Sequence, residues 1–274
     1  MSESVGTNVF PGRKAREGYM SIGLNLYDEQ LNDQFDVTTV SGIAAYHLPI
    51  HKGGQISTAM SFGYYGQRFG RNSGSWENQH NGLFYDPDLP TGEQFSTLNR
   101  TAFAVGTGIV YSLAGKHEGQ KLLQFGMVTH HLGRPDVSFL VDGSAKLPIR
   151  LALHGSSSLY FAKQKYMIQP MFLFQKQREF QSFNIGVMGF MRLKESAKTT
   201  SSFDKVRTYR LGAGLFVRNG DAMIFNVAMQ MSNWNLGLAY DVTTSALKQN
   251  NQSRGAFEIQ LQYMIPSFLL SSRY

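Results

Sequence analysis

The chain contains no cysteine among its 274 residues. Disulfides, thiolate nucleophiles and thiolate metal sites are thereby excluded. Charge is scarce: Asp, Glu, Lys and Arg supply 16% of the residues, against roughly 25% in ordinary soluble domains. No run of about 18 apolar residues occurs, which excludes a transmembrane helix. The net charge is +7, but its lysines and arginines are scattered. With no dense basic run, a nucleic-acid partner is not expected. Proline is also rare, with 8 residues, so little interrupts extended backbone.

What remains is rich in β-formers. Glycine is frequent, and aromatic residues, mostly Phe and Tyr, reach 13%. The dominant pattern has period two. Ile56, Thr58, Met60, Phe62 and Tyr64 fall on one face, and Gln55, Ser57, Ala59, Ser61 and Gly63 on the other. Phe257, Ile259, Leu261 and Tyr263 alternate in the same way with Glu258, Gln260 and Gln262. Successive strand side chains point to opposite faces, so each segment has an apolar face and a polar or small one.

The pattern predicts strands near 18–27, 37–48, 55–65, 100–113, 121–131, 148–161, 166–175, 183–193, 207–217, 222–231, 233–242 and 256–264. These are about twelve strands of roughly ten residues, the length that a tilted membrane-crossing strand needs. The connections 28–36, 66–99 and 132–147 are long, while those between them are short. Such alternation marks an outer-membrane barrel; it weakens later, where 194–206 is long in place of a short turn and 218–221 is tight in place of a loop. Lipid satisfies no backbone N–H or C=O, so a spanning sheet must close upon itself. The expectation is an all-β transmembrane antiparallel barrel forming one domain over 1–274. Tyr19, Tyr27, Tyr64, Tyr111, Tyr209, Trp234, Tyr240 and Tyr263 lie near strand ends, where interfacial girdles form. The competing reading is a soluble sandwich or barrel with a packed interior; membrane-length strands and repeated outward Phe, Leu and Tyr weigh against it.

The C-terminal third carries a motif. Tyr240, Asp241 and Ser245 are followed by a loop, then Gly255 and Glu258, then an aromatic-rich last strand. This resembles the close of the PorP/SprF family. His131-Leu-Gly-Arg-Pro135 and the stretch from Ala213 to Ala222 resemble further parts of it. The resemblance implies a bacterial outer-membrane protein of the type IX secretion system or gliding motility. It implies as partners an exported surface protein or adhesin, and secretion-system translocon or periplasmic ring components. Family members begin with a signal peptide and an early strand region that this numbering lacks. The expectation is that an N-terminal segment of the precursor is missing, making about fourteen strands in all.

No catalytic constellation emerges. Ser156-Ser-Ser158 lacks a nucleophile elbow. Adjacent His130 and His131 point to opposite faces of a strand and cannot share a metal. Gly106-x-Gly108 and Gly212-x-Gly214 precede no helix that would make a phosphate loop. Catalytic, cofactor and metal sites are thus expected to be absent, and the protein is not expected to be an enzyme. The loop 66–99 is long enough to be functional, as a docking patch or a plug over the mouth. Trp76 and Tyr85 in it, with Arg254 in the loop 243–255, are the candidate partner-binding residues, since Trp, Tyr and Arg dominate binding hot spots. Glu258 faces inward and is a candidate partner for Arg150 or Arg210. The leading expectation is a docking barrel that binds, anchors or couples an exported protein; the alternative is a passive porin or small-solute channel.

Overall fold

A computed structural model describes residues 2–8, 18–32, 35–51, 53–69, 77–86, 88–90, 99–115, 121–139, 144–193, 209–231, 233–246 and 254–264. Its strands are β1 (Ser2–Asn8), β2 (Tyr19–Asn32), β3 (Phe35–His51), β4 (Gly54–Phe69), β5 (Asn99–Ala114), β6 (Lys121–His130) and β7 (Arg150–Ser157). They continue as β8 (Leu159–Phe161), β9 (Tyr166–Gln177), β10 (Phe180–Leu193), β11 (Tyr209–Arg218), β12 (Ala222–Met231), β13 (Trp234–Thr243) and β14 (Arg254–Tyr263). One antiparallel sheet holds all of them in chain order, with the short β8 pairing β9 off the main path. β1 and β14 stand at the two ends of that path. Among the described residues no helix is long and apolar enough to cross a membrane; this sheet crosses with strands.

Every predicted strand is present, with three amendments. Residues 2–8, which carry no clear alternation, pair with β2 from Ser2↔Tyr27 to Asn8↔Ser21. The segment 148–161 breaks at Ser158 into β7 and β8. The expected long connection 28–36 is mostly strand, since β2 and β3 pair through Asp28↔Thr38 and Gln30↔Asp36. The Thr38 hydroxyl donates to Asp28 Oδ1 at 2.7 Å, so cross-strand polar pairs carry the ladder where apolar alternation has faded.

The two faces differ as the alternation requires. Met20, Ile22, Leu24, Phe62, Val187, Leu215, Phe225 and Leu238 are exposed on the outer face. Ser21, Gly23, Ser61, Gly63, Gly214, Asn226 and Ala239 alternate with them and are less exposed. The sheet is strongly curved. The Gln55 side chain of β4 donates to the Tyr19 hydroxyl of β2 at 3.3 Å, reaching over β3 on the inner face. Inside the curve, Met167, Met188 and Phe190 form a buried cluster against Tyr160, Met171 and Phe216. That part of the interior is packed side chain and not open channel.

The girdle expectation holds for some residues and fails for others. Tyr64, Trp234, Tyr240 and Tyr263 are exposed on the outer face, and the Trp234 and Tyr263 rings lie 4.4 Å apart. Tyr19 and Tyr27 face inward instead. Tyr19 stacks on His47 at 4.5 Å. Proximity to a strand end sets the height of a ring, but residue parity sets its face.

Candidate functional site

Strand direction assigns each connection to one end of the barrel. The end carrying 70–98, 131–149, 219–221 and 244–253 is termed the upper end. The 52–53, 162–165 and 232–233 turns occupy the lower one. Both loops expected to dock a partner, 66–99 and 243–255, therefore share the upper rim.

The described part of the first loop is a small folded unit. A 3-10 turn, Glu77–Gln79, leads to a bridge between His80 and Tyr85. Asn81 Oδ1 accepts the backbone N–H groups of Leu83 and Phe84, both at 3.0 Å. Gly82 has φ +94°, a conformation that glycine adopts without strain. Gln79 is buried and donates to the Leu89 carbonyl at 2.9 Å. This scaffold holds out an apolar tip: Leu83 is 88% exposed, Phe84 60% and Tyr85 43%. Tyr85 is thus on the tip as expected, while Leu83 and Phe84 are more exposed still. The signal for them was Asn81-Gly82, a strong hairpin-turn dipeptide, followed at once by two large apolar residues. Trp76 lies outside the described residues.

The Tyr-Asp…Ser…Gly-x-x-Glu motif builds the neighbouring stretch of rim. Asp241 is 6% exposed, and its Oδ2 lies 3.2 Å from Arg218 of β11. The same guanidinium reaches Asp221 at 3.0 Å. The Asp221 carbonyl accepts N–H groups from Thr244 at 2.8 Å and Ser245 at 3.0 Å. One cation therefore binds the β11–β12 turn to the start of the last loop. Register shifts between Tyr240 and Val242, where β14 bulges. A side chain at Gly255 would strike the Asp241 carbonyl, so the bulge requires glycine there. The described partner of Asp241 is the Arg218 cation, which no local sequence pattern ties to it. Tyr240 is 41% exposed on the outer face, as an interfacial anchor should be.

Other expected residues are not brought together. Arg254 pairs through its backbone with Val242 at the upper end of β14, and its side chain lies outside the described residues. Glu258 sits opposite Ala239. Arg150 stands beside His130 at the top of β7, and Arg210 beside Arg192 near the bottom of β10 and β11. Neither arginine forms a described ion pair with Glu258.

The loop 131–149 turns into the mouth. Phe139 packs 6.3 Å from both Phe35 and Phe69, at the top of the inner face of β3 and β4. Val137 and Ser138 are buried. Asp136 Oδ1 accepts backbone N–H groups from Ser138 at 3.0 Å and Ala145 at 3.1 Å, and these bonds hold its carboxyl below the ordinary carboxylate range. Among the described residues, it is this loop that packs an aromatic side chain against the inner face of β3 and β4. Beneath it the His131 ring meets Tyr65 edge-on at 5.5 Å.

Burial, then the nearby charges of His130 and Arg150, push the His131 imidazole down to about 4. Below pH ~6.5 the unfolded chain takes up a proton that the folded one refuses. Stability should therefore fall as pH drops from that value toward 4. Unfolding midpoints in detergent at pH 7.5 and 4.5 should differ less in His131→Phe than in the unaltered protein.

Near the lower end, His47 Nε2 lies 2.8 Å from the Ser21 hydroxyl and its Nδ1 2.7 Å from that of Ser57. Both serines stand within regular strands, without the sharp turn that presents a nucleophile. Their role is to tie β2, β3 and β4 across the inner face. No group of three potential metal ligands occurs among the described residues.

A family model described as "Type IX secretion system membrane protein PorP/SprF" matches residues 3–263. The chain belongs to the PorP/SprF family. No curated protein matches it. Membership makes this a type IX secretion membrane protein, as the motif resemblance implied. In this PorP/SprF protein the motif residues act first on architecture: Asp241 pairs with Arg218, and Gly255 admits the bulge. Ser245 Oγ is buried without a described hydrogen-bond partner.

Proposed function

We propose that this barrel resides in the bacterial outer membrane and docks an exported surface protein on its upper rim, anchoring it or coupling it to the export machinery. Longer loops face the cell exterior in such barrels, and the length of 70–98 and 131–149 against 52–53 and 115–120 supports an outward-facing upper rim, with 194–208 at the lower end the exception. The observation that carries the reading is the Leu83-Phe84-Tyr85 tip. A rigid turn that holds two large apolar side chains in water has a cost unless a partner covers them. The process is docking, with no bond chemistry. Phe139, packed on the inner face at the upper end, and the Met167–Phe190 cluster count against a passive porin.

The test is a double change, Leu83→Ser with Phe84→Ser. Heat-modifiable migration on a gel, the mark of an assembled barrel, should be unchanged because neither residue belongs to the ladder. The exported protein should then be released to the medium or mislocalised. Continued retention at the surface by an assembled mutant would reject the tip as the docking site.

A further inference from the structure

The outer wall carries a depression at the lower ends of β9–β12. It holds about 490 Å³ and is bounded by Tyr166 and Ile168 of β9, Met191 of β10 and Leu211 of β11. Its bed is Gly189 and Ala213, side by side in register on β10 and β11. All six residues lie on the lipid-facing side. Gly189 needs no absence of side chain for internal packing. A Cβ there would find its nearest neighbour, the Ala213 carbonyl, at 3.9 Å. Gly212 behaves differently: a Cβ there would strike the buried Phe190 ring. Glycine in mid-strand weakens a sheet and marks a close approach by something else. At Gly189 that something lies outside the protein's own core.

The end of the groove is cationic. Lys165 Nζ lies 5.4 Å from the centre of the Tyr166 ring, a ring that lines the groove and faces outward. Lys163 is exposed in the same turn. Ala162, Lys163 and Gln164 have φ of 46°, 55° and 69°, left-handed values that cost non-glycine residues energy. The turn is nonetheless pinned. Lys165 N–H donates to the Ala162 carbonyl at 3.1 Å, and Arg192 N–H donates to the Lys165 carbonyl at 2.7 Å. The second bond fixes the lysine turn against β10, the strand that carries Gly189.

From this geometry we infer a specific site for one anionic glycerophospholipid of the membrane. An acyl chain lies over Gly189 and Ala213, and the phosphate meets Lys165 and Lys163. Apolar walls recognise the chain, and the interfacial lysines with Tyr166 recognise the headgroup, as basic residues do beside anionic lipid. This site stands apart from the proposed docking rim, at the opposite end of the barrel.

Native mass spectrometry of the detergent-purified protein tests it, with phosphatidylglycerol and phosphatidylcholine of matched chains as probes. The unaltered protein should retain phosphatidylglycerol preferentially, by roughly fivefold for each lysine engaged. Lys163→Ala with Lys165→Ala should erase that preference. Gly189→Leu should reduce retention of both lipids, and Ala213→Leu provides a second groove-filling variant should the first not assemble. Gel migration reports assembly of each. Equal retention of the two lipids by the unaltered protein, or undiminished retention in an assembled groove-filled variant, would overturn the site.

Discussion

Val187→Arg should prevent assembly of most of the protein, whereas Asn226→Arg should leave it largely intact. Val187 lies midway along β10 on the outer face, beside Pro170 and Leu215. Arginine on the lipid face near the bilayer middle costs about 2–4 kcal/mol, a large share of the total stability of a domain. Asn226 lies at similar depth but points inward, between Gly214 and Ala239. Those small neighbours leave room for a longer chain, and the interior offers polar groups. Folding yield into lipid vesicles, read by heat-modifiable migration, separates the two. Similar yields for both variants would show that the faces, or the membrane assignment itself, are wrong.

Arg218→Met should destabilise the barrel comparably, and through a different mechanism. The Asp241 side chain is 9% exposed and meets the Arg218 guanidinium. Removing the cation leaves a buried carboxylate uncompensated, at a cost of about 3–5 kcal/mol. Asp221→Asn alters the other contact of the same arginine. Its side chain is 43% exposed, so that loss should amount to about 0–1 kcal/mol. Restoring neutrality in the double variant Arg218→Met, Asp241→Leu should recover much of the loss, because a dry apolar pair replaces an ion pair at little net cost. Denaturant midpoints in detergent for the four proteins measure all of this. A double variant as unstable as Arg218→Met alone would mean that the arginine acts through something other than Asp241.

The two effects come from different levels of information. The facing of Val187 and Asn226 is a matter of parity along a strand, and parity is written in the sequence. Asp241 was legible as a motif residue, but its partner was not. Arg218 lies 23 positions earlier, on a strand that meets β13 only across β12. Nothing local to either residue encodes that meeting. The same limit applies in the loops: Asn81-Gly82 marks a turn, but the exposure of Leu83 and Phe84 depends on how Gln79 and Tyr85 anchor its base.

The sequence by itself determined the class, the membrane-length strands, the outer and inner residues of most of them, and the family. All but the family, which rests on the motif resemblance, follow from the two-residue repeat of extended backbone and from the need of lipid-embedded backbone to pair with itself, constraints that act within about ten residues. Tertiary structure alone decided which loop reaches the mouth, how Arg218 reaches Asp241, and where Gly189 leaves a groove beside Lys165. Each depends on register and curvature accumulated over many strands. These bring together side chains far apart in the chain, and no local pattern specifies them.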